Sequence, residues 1–181
     1  EEVRKTSMDA GSSGLAETLF AECSDECVLR LLSDWLVWAR PDQLPPPGDW
    51  VTWLVLGGRG AGKTRAGAEW VRGVVAGDAP YSNVPVGRIA LIGETYAEAQ
   101  RFSATDPESL RGPQFGAAWC DELAKWPHAE ATWDMLQFGL RLGERPQQVV
   151  TTTPRAVPLM RQLLADPRVA GSRMRTADNA G

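Results

Sequence analysis

The chain has 181 residues, of which 43% are hydrophobic and 23% are charged, and its formal net charge is −4. This size and composition predict one folded domain with a hydrophobic core and exclude a wholly disordered chain. The sequence lacks the run of about 18 apolar residues that a membrane-spanning helix needs. Its weakly negative net charge does not indicate a broad surface for binding nucleic acid.

The N-terminal third is predicted to be separate from the main domain. Residues 1–14 are charged and then small and polar, without the apolar block of a signal peptide, so they predict a disordered leader and a cytoplasmic protein. Residues 15–47 form a helical segment followed by a proline-rich linker, with one helix over Ser24–Arg40 and Ser24 as its N-cap. Residues 48–181 are then the main domain.

A phosphate-binding loop follows the first predicted strand of this domain. The strand covers Trp50–Leu56, and a predicted helix covers Lys63–Val75. Between them the sequence reads Gly57, Gly58, Arg59, Gly60, Ala61, Gly62, Lys63 and Thr64, which is the pattern GxxxxGK(S/T). The glycines allow backbone N–H groups to surround phosphate oxygens at the positive end of the helix. Lys63 is predicted to neutralise the phosphates of ATP, and Thr64 to hold Mg²⁺.

The remaining strands alternate with helices. Strands are predicted at residues 88–93, 115–120 and 148–152, and helices at 129–142 and 158–165. This alternation predicts an α/β fold with a mostly parallel sheet flanked by helices, connected by right-handed crossovers.

Two carboxylates follow the third predicted strand. Asp121 and Glu122 come directly after an apolar run, at the carboxyl end of the strand, where ligands bind in open α/β sheets. We expect Asp121 to contact Mg²⁺ through water and Glu122 to accept a proton from the water that attacks the terminal phosphate. The hypothesis requires Glu122 to lie near Lys63.

The fourth predicted strand ends in three hydroxyl residues, Thr151–Thr153. These side chains are placed to hydrogen-bond a terminal phosphate or the attacking water, and Thr152 is the predicted nucleotide contact. In chain order, the predicted strand at residues 88–93 lies between the strand before the phosphate loop and the strand before Asp121. This order, together with Glu122 directly after Asp121, favours the additional-strand, catalytic-glutamate class of P-loop NTPases. The kinase and GTPase branch is disfavoured, and the Asn-Lys-x-Asp pattern that reads guanine is missing.

Residues 42–70, 107–126 and 151–155 together resemble the ATPase domain of the large terminase subunit of tailed bacteriophages, in particular the prophage and gene-transfer-agent type. The resemblance implies an ATP-driven motor that packages double-stranded DNA into a procapsid. It also implies a homo-oligomeric ring that works with a portal protein and a small terminase subunit in the host cytoplasm.

The resemblance assigns roles to three further residues. Arg59 matches an arginine that terminases keep near the phosphates, and Arg111 matches an arginine proposed to reach the ATP of a neighbouring subunit. Gln43 matches a glutamine that contacts adenine in related motors. Thr151–Thr153 align with the motif that couples hydrolysis to movement.

The chain departs from the family in two places. The segment between Gly93 and Asp106 is shorter than in typical members, which predicts an internal deletion, and the sequence ends at Gly181 where a terminase would continue, so we expect no nuclease domain and no DNA cleavage. Two alternatives therefore stay open beside the ATPase: a catalytically impaired remnant that binds nucleotide or partner subunits without turnover, and a P-loop kinase.

Overall fold

The computed structural model describes residues 24–94 and 102–179, which belong to two compact units, Glu1–Arg40 and Pro41–Gly181. In the first unit, α1 covers Asp25–Ser33 and α2 covers Trp35–Trp38. Ser24 is the N-cap of α1, as predicted, and its hydroxyl accepts a hydrogen bond from the Cys27 N–H at 3.3 Å. The single predicted helix is wrong at Asp34, whose backbone is extended and whose carboxylate caps α2 instead.

The second unit is built on a six-stranded sheet, counted over the described residues. Every neighbouring pair is parallel, and the order is β3-β2-β4-β5-β1-β6. The strands are β1 (Thr52–Gly57), β2 (Ile89–Gly93), β3 (Phe102–Ser103), β4 (Ala117–Asp121), β5 (Gln147–Thr152) and β6 (Val169–Met174). The predicted α/β fold with a parallel sheet is therefore confirmed.

Three helices flank the sheet: α3 (Lys63–Ala76), α4 (Ala129–Gly139) and α5 (Pro158–Ala165). α5 has the predicted bounds, and α3 runs one residue further than predicted. α4 ends three residues earlier than predicted because the next residue, Leu140, forms a β-bridge with Phe115. Short 3-10 helices cover Pro41–Gln43, Pro107–Leu110, Leu123–Lys125 and Thr176–Asn179. Among the described residues, no helix has the length and apolar character to cross a membrane.

The centre of the sheet is the most deeply buried part of the molecule. Trp53, Leu54 and Val55 of β1 and Val149 and Val150 of β5 have no exposed surface. Each such apolar side chain contributes about 1.5–3 kcal/mol of burial free energy, so the strand ends that carry the candidate site are attached to a rigid base.

Two strands were not predicted. β6 contains Gly171, Ser172 and Arg173, which hide it from a hydrophobicity pattern, yet it pairs with β1 over its whole length. β3 has only two residues and pairs with the end of β2. The connection from β2 to β3, residues 94–101, is shorter than the dozen or so residues that usually join parallel strands. The internal deletion itself stays a prediction.

The strand order determines which residues meet at the carboxyl edge of the sheet. β5 lies between β1 and β4, so the ends of these three strands are neighbours. In the sheet, β5 therefore separates the loop strand β1 from the acidic strand β4, whereas in chain order β2 and β3 lie between them. The phosphate loop, Asp121 and Thr152 all lie at this edge.

Candidate functional site

The predicted phosphate loop is a tight turn between β1 and α3. Gly57 is the last residue of β1, and the loop passes through Gly58 to Gly62 before α3 begins at Lys63. Gly60 and Gly62 have φ angles of +75° and +88°, in the left-handed region that disfavours residues with a side chain. No side chain caps α3 at Gly62, so the positive end of this helix is available to an anion in the loop.

Lys63 lies deep in the loop, where only 6% of its surface is exposed. Its Nζ donates a hydrogen bond to the Gly58 carbonyl at 3.0 Å and lies 3.5 Å from Oε1 of Glu122. The phosphate loop and the end of β4 are therefore brought together, as the sequence hypothesis requires. This contact joins two residues that are 59 positions apart in the chain.

Glu122 is held by contacts on both carboxylate oxygens. Oε1 faces Lys63, and Oε2 lies 3.5 Å from the Lys125 Nζ. Oε2 also accepts hydrogen bonds from the Thr153 N–H at 3.4 Å and the Thr153 hydroxyl at 3.3 Å. Burial raises the pKa of Glu122, but the charges of Lys63 and Lys125 and the Thr153 N–H outweigh it, so the pKa is lowered. Glu122 is therefore ionised at neutral pH.

The backbone of Glu122 is strained. Its φ of 50° is the one positive value of a non-glycine residue within 24–94 and 102–179. Such a conformation costs about 1–3 kcal/mol and persists only where the surroundings impose it. Here the strain turns the carboxylate towards the cleft directly after β4 ends at Asp121.

Asp121 belongs to a buried hydrogen-bonded chain that links β4 to β5. Its Oδ1 accepts a hydrogen bond of 2.6 Å from the Thr151 hydroxyl, and that hydroxyl accepts one of 2.8 Å from the Trp119 indole. Burial raises the pKa of Asp121, and the hydrogen bond from Thr151 opposes this effect without cancelling it. Asp121 lies behind the cleft surface rather than on it.

The cleft between these elements has a volume of about 670 Å³, within the range of small-molecule sites. Its lining has five cationic side chains and one carboxylate, an excess of positive charge that suits a polyanion. The lining residues are Arg59, Gly60, Ala61, Gly62, Lys63, Thr64, Arg65, Glu122, Lys125, Thr153 and Arg155.

The family described as "Terminase large subunit, T4likevirus-type, N-terminal" matches residues 101–169. This part of the chain is similar to the N-terminal region of terminase large subunits. The predicted resemblance to terminases is thereby confirmed, although the match begins after the phosphate loop and the finer assignment to a prophage or gene-transfer-agent type stays a prediction. A search of curated protein sequences found no match.

The terminase region supplies one wall of the cleft, with Glu122, Lys125, Thr153 and Arg155. The phosphate loop supplies the other. Thr64 is exposed and lines the cleft, whereas Asp121, the last residue of β4, is not one of the lining residues, and the roles of both in holding Mg²⁺ stay predictions. No group of three or more acidic, histidine or cysteine side chains suited to a metal occurs among the described residues.

Thr152, Gln43 and Arg111, which were predicted to belong to the site, also lie outside the cleft. Thr152 is fully buried, and its hydroxyl accepts a hydrogen bond from the Ala124 N–H at 3.0 Å. Gln43 is 5% exposed, on a 3-10 helix that packs against β6. Arg111 is exposed and paired with Glu108 at 2.9 Å.

Sequence reasoning missed three cations of the cleft, Arg65, Lys125 and Arg155. Lys125 lies three residues after Glu122, and Arg155 lies two residues after the last threonine, so each is close to a strand end that was recognised. Their position after these strand ends was the available signal. Among the three hydroxyl residues, Thr153 rather than Thr152 reaches the cleft, because Thr152 is the last residue of β5 and is covered by the Leu123–Lys125 turn.

Proposed function

We propose that the chain binds ATP with Mg²⁺ in this cleft and hydrolyses it, as the ATPase module of a terminase large subunit. The observation that carries the proposal is the 3.5 Å contact between Lys63 of the phosphate loop and Glu122 at the end of β4. A phosphate-binding cation and a proton acceptor in one cleft are the two groups that hydrolysis of a phosphoanhydride requires.

The phosphate loop is the binding half of the site. The polyphosphate lies against the N-terminus of α3, where backbone N–H groups and the helix dipole favour anions. Lys63 exchanges its contact with the Gly58 carbonyl for phosphate oxygens. Arg59 adds positive charge at the entrance of the loop, where it lines the cleft.

Glu122 is the catalytic base in this proposal. Because Lys63 and Lys125 keep its pKa low, it is ionised and available to accept a proton from water at neutral pH. Thr153 and Lys125 hold Oε2, which leaves Oε1 to face the water once Lys63 turns to the phosphates. The base is thus oriented before substrate binds.

The donor atoms at the edge of the sheet fit a hard divalent cation. The Thr64 hydroxyl and the Asp121 carboxylate are oxygen ligands of the type that Mg²⁺ prefers, and water and phosphate oxygens complete its coordination. Mg²⁺ supplies charge neutralisation of the phosphate oxygens. Asp121 reaches the ion through water, consistent with its place behind the cleft surface.

The strand order supports placement of this sheet among the P-loop NTPases of the additional-strand, catalytic-glutamate class. β5 lies between the loop strand and the acidic strand, and its end carries Thr153 against Glu122. In this class, the residue at the end of the intervening strand reports the state of the terminal phosphate. Thr153 is the candidate for that role.

We place this ATPase in a DNA-packaging motor because of the terminase match. In that setting its partners are double-stranded DNA, a portal protein and a small terminase subunit, and the working form is a homo-oligomeric ring in the bacterial cytoplasm. The cationic cleft is occupied by nucleotide, so DNA binds elsewhere on the protein.

The decisive test is Glu122→Gln, with calorimetry of Mg-ATP binding and phosphate release measured on the same preparation. We expect binding to persist and turnover to fall by about 10²–10⁴-fold, because the amide accepts no proton. Glu130→Gln, on the exposed face of α4, is the matched control and should keep full turnover. Full turnover by Glu122→Gln, or no binding heat from the parent protein, would overturn the proposal.

A further inference from the structure

We propose that Arg155 binds the terminal phosphate of the nucleotide from within the same chain, and so makes the cleft select a triphosphate over a diphosphate. This inference rests on the proposed function and adds a specificity residue to it. It is carried by the ion pairing of the cleft, by the place of Arg155 in the same cleft lining as Glu122 and by the anchoring of its loop.

The cations of the cleft differ in how they are paired. Lys63 and Lys125 both contact Glu122, and Arg65 lies 2.7 Å from Glu69. Arg59 and Arg155 are both exposed in the cleft and form no ion pair with any of the described residues, so position distinguishes these two arginines. A guanidinium that lines an anion site without an internal partner needs no bond broken before it binds a phosphate.

The two ends of the cleft are distinguished by the strand order. Arg59 lies on the β6 side, because its carbonyl accepts a hydrogen bond of 2.9 Å from Thr176, just after β6. Arg155 lies on the opposite side, after β5 and next to Thr153, which contacts Glu122. Since Glu122 is the proposed base, the terminal phosphate lies at this second end, within the reach of Arg155.

The loop that carries Arg155 is anchored at its upstream end. There the Thr152 hydroxyl accepts a hydrogen bond from the Ala124 N–H, and the Thr153 hydroxyl donates one to Glu122. Within the loop, the Arg155 carbonyl accepts a hydrogen bond of 2.9 Å from the Val157 N–H, two residues further along. Arg155 thus closely follows residues that are bonded to the turn that holds the base, which lowers the entropic cost of bringing its side chain to a phosphate.

The side-chain chemistry suits this role. A planar guanidinium binds two phosphate oxygens at once, and hydrogen bonds between charged groups are stronger than those between neutral groups. The terminal phosphate is the group that distinguishes ATP from ADP. A contact to the terminal phosphate alone raises the affinity for ATP and leaves the affinity for ADP unchanged.

The test compares Arg155→Ala and Arg155→Lys in a Glu122→Gln background, which keeps ATP intact during calorimetry. We expect Arg155→Ala to weaken Mg-ATP binding by about 10- to 100-fold and to leave Mg-ADP binding unchanged. Arg155→Lys should restore part of the loss, because it keeps the charge without the paired donors. Arg161→Ala, an exposed arginine on α5, is the control and should bind both nucleotides as the parent does.

Equal losses for ATP and ADP would overturn the inference, because they would mean that Arg155 acts only through general charge. Unchanged ATP binding by a folded Arg155→Ala protein would overturn it as well, while the proposed function would stand. If the parent protein binds neither nucleotide, the inference about Arg155 and the proposed function are both wrong. Circular dichroism establishes that each variant is folded. If alanine disturbs the loop, Mg-ATP and Mg-ADP binding can still be compared with the conservative Arg155→Lys variant.

Discussion

The two walls of the cleft are built in different ways. The phosphate loop is one contiguous segment, in which the end of β1, the glycines and the start of α3 follow one another in the chain. The facing wall is assembled from the ends of β4 and β5, and its contacts between Glu122 and Thr153 span 31 positions. A local wall depends on backbone conformation, whereas an assembled wall depends on correct strand order and on the buried bonds between strands.

The largest expected effect comes from the local wall. Lys63→Ala removes the buried cation of the loop, and we expect Mg-ATP affinity to fall by about 100-fold or more, because both its charge and its hydrogen bonds to phosphate are lost. Isothermal calorimetry measures this loss, with Arg161→Ala as the control. Affinity within a factor of two of the parent would show that the loop is not the binding half of the site.

An intermediate effect is expected where the assembled wall is held together. Thr151→Val removes the hydroxyl that joins Trp119 to Asp121 and leaves both groups without this partner. We expect a loss of about 1–3 kcal/mol in the free energy of unfolding, measured by urea denaturation. ADP binding by the folded variant should change little, since the loop is local. A large loss of ADP affinity would mean that the two walls are not independent.

The smallest effect concerns the charge that tunes the base. Lys125→Ala removes one of the two cations that lower the pKa of Glu122, so this pKa rises towards its usual range. Because the base must be ionised, the acid limb of the profile of kcat against pH should move to higher pH, with turnover near neutral pH almost unchanged. Lys125→Arg should retain the parent profile. If the acid limb of the profile of kcat against pH does not move in Lys125→Ala, Lys125 does not influence the pKa of the base.

The same contrast explains what the sequence could predict. Four of the six strands and the helices α3 and α5 follow from apolar runs, and the phosphate loop follows from local glycine spacing. Glu122, which lines the cleft, was singled out in the sequence because it directly follows an apolar strand. These features depend on neighbours in the chain.

The features that were missed depend on neighbours in space. Arg155 and Lys125 reach the cleft only because β5 lies between β1 and β4, which no local pattern reveals. β6 was missed because only its last residue, Met174, is buried, so its place in the sheet comes from pairing with β1 rather than from an apolar pattern. The break at Asp34 was missed because its carboxylate competes with the helix for backbone N–H groups.

In the proposed ATPase, the Glu122 carboxylate competes with the substrate for Lys63. Glu122 already lies against the cation that the phosphates would have to reach, so the affinity for nucleotide would be the difference between two attractions. A variant that neutralises the internal anion therefore retains substrate more tightly while turning it over more slowly. Fast release and efficient proton removal are thus tied to a single carboxylate.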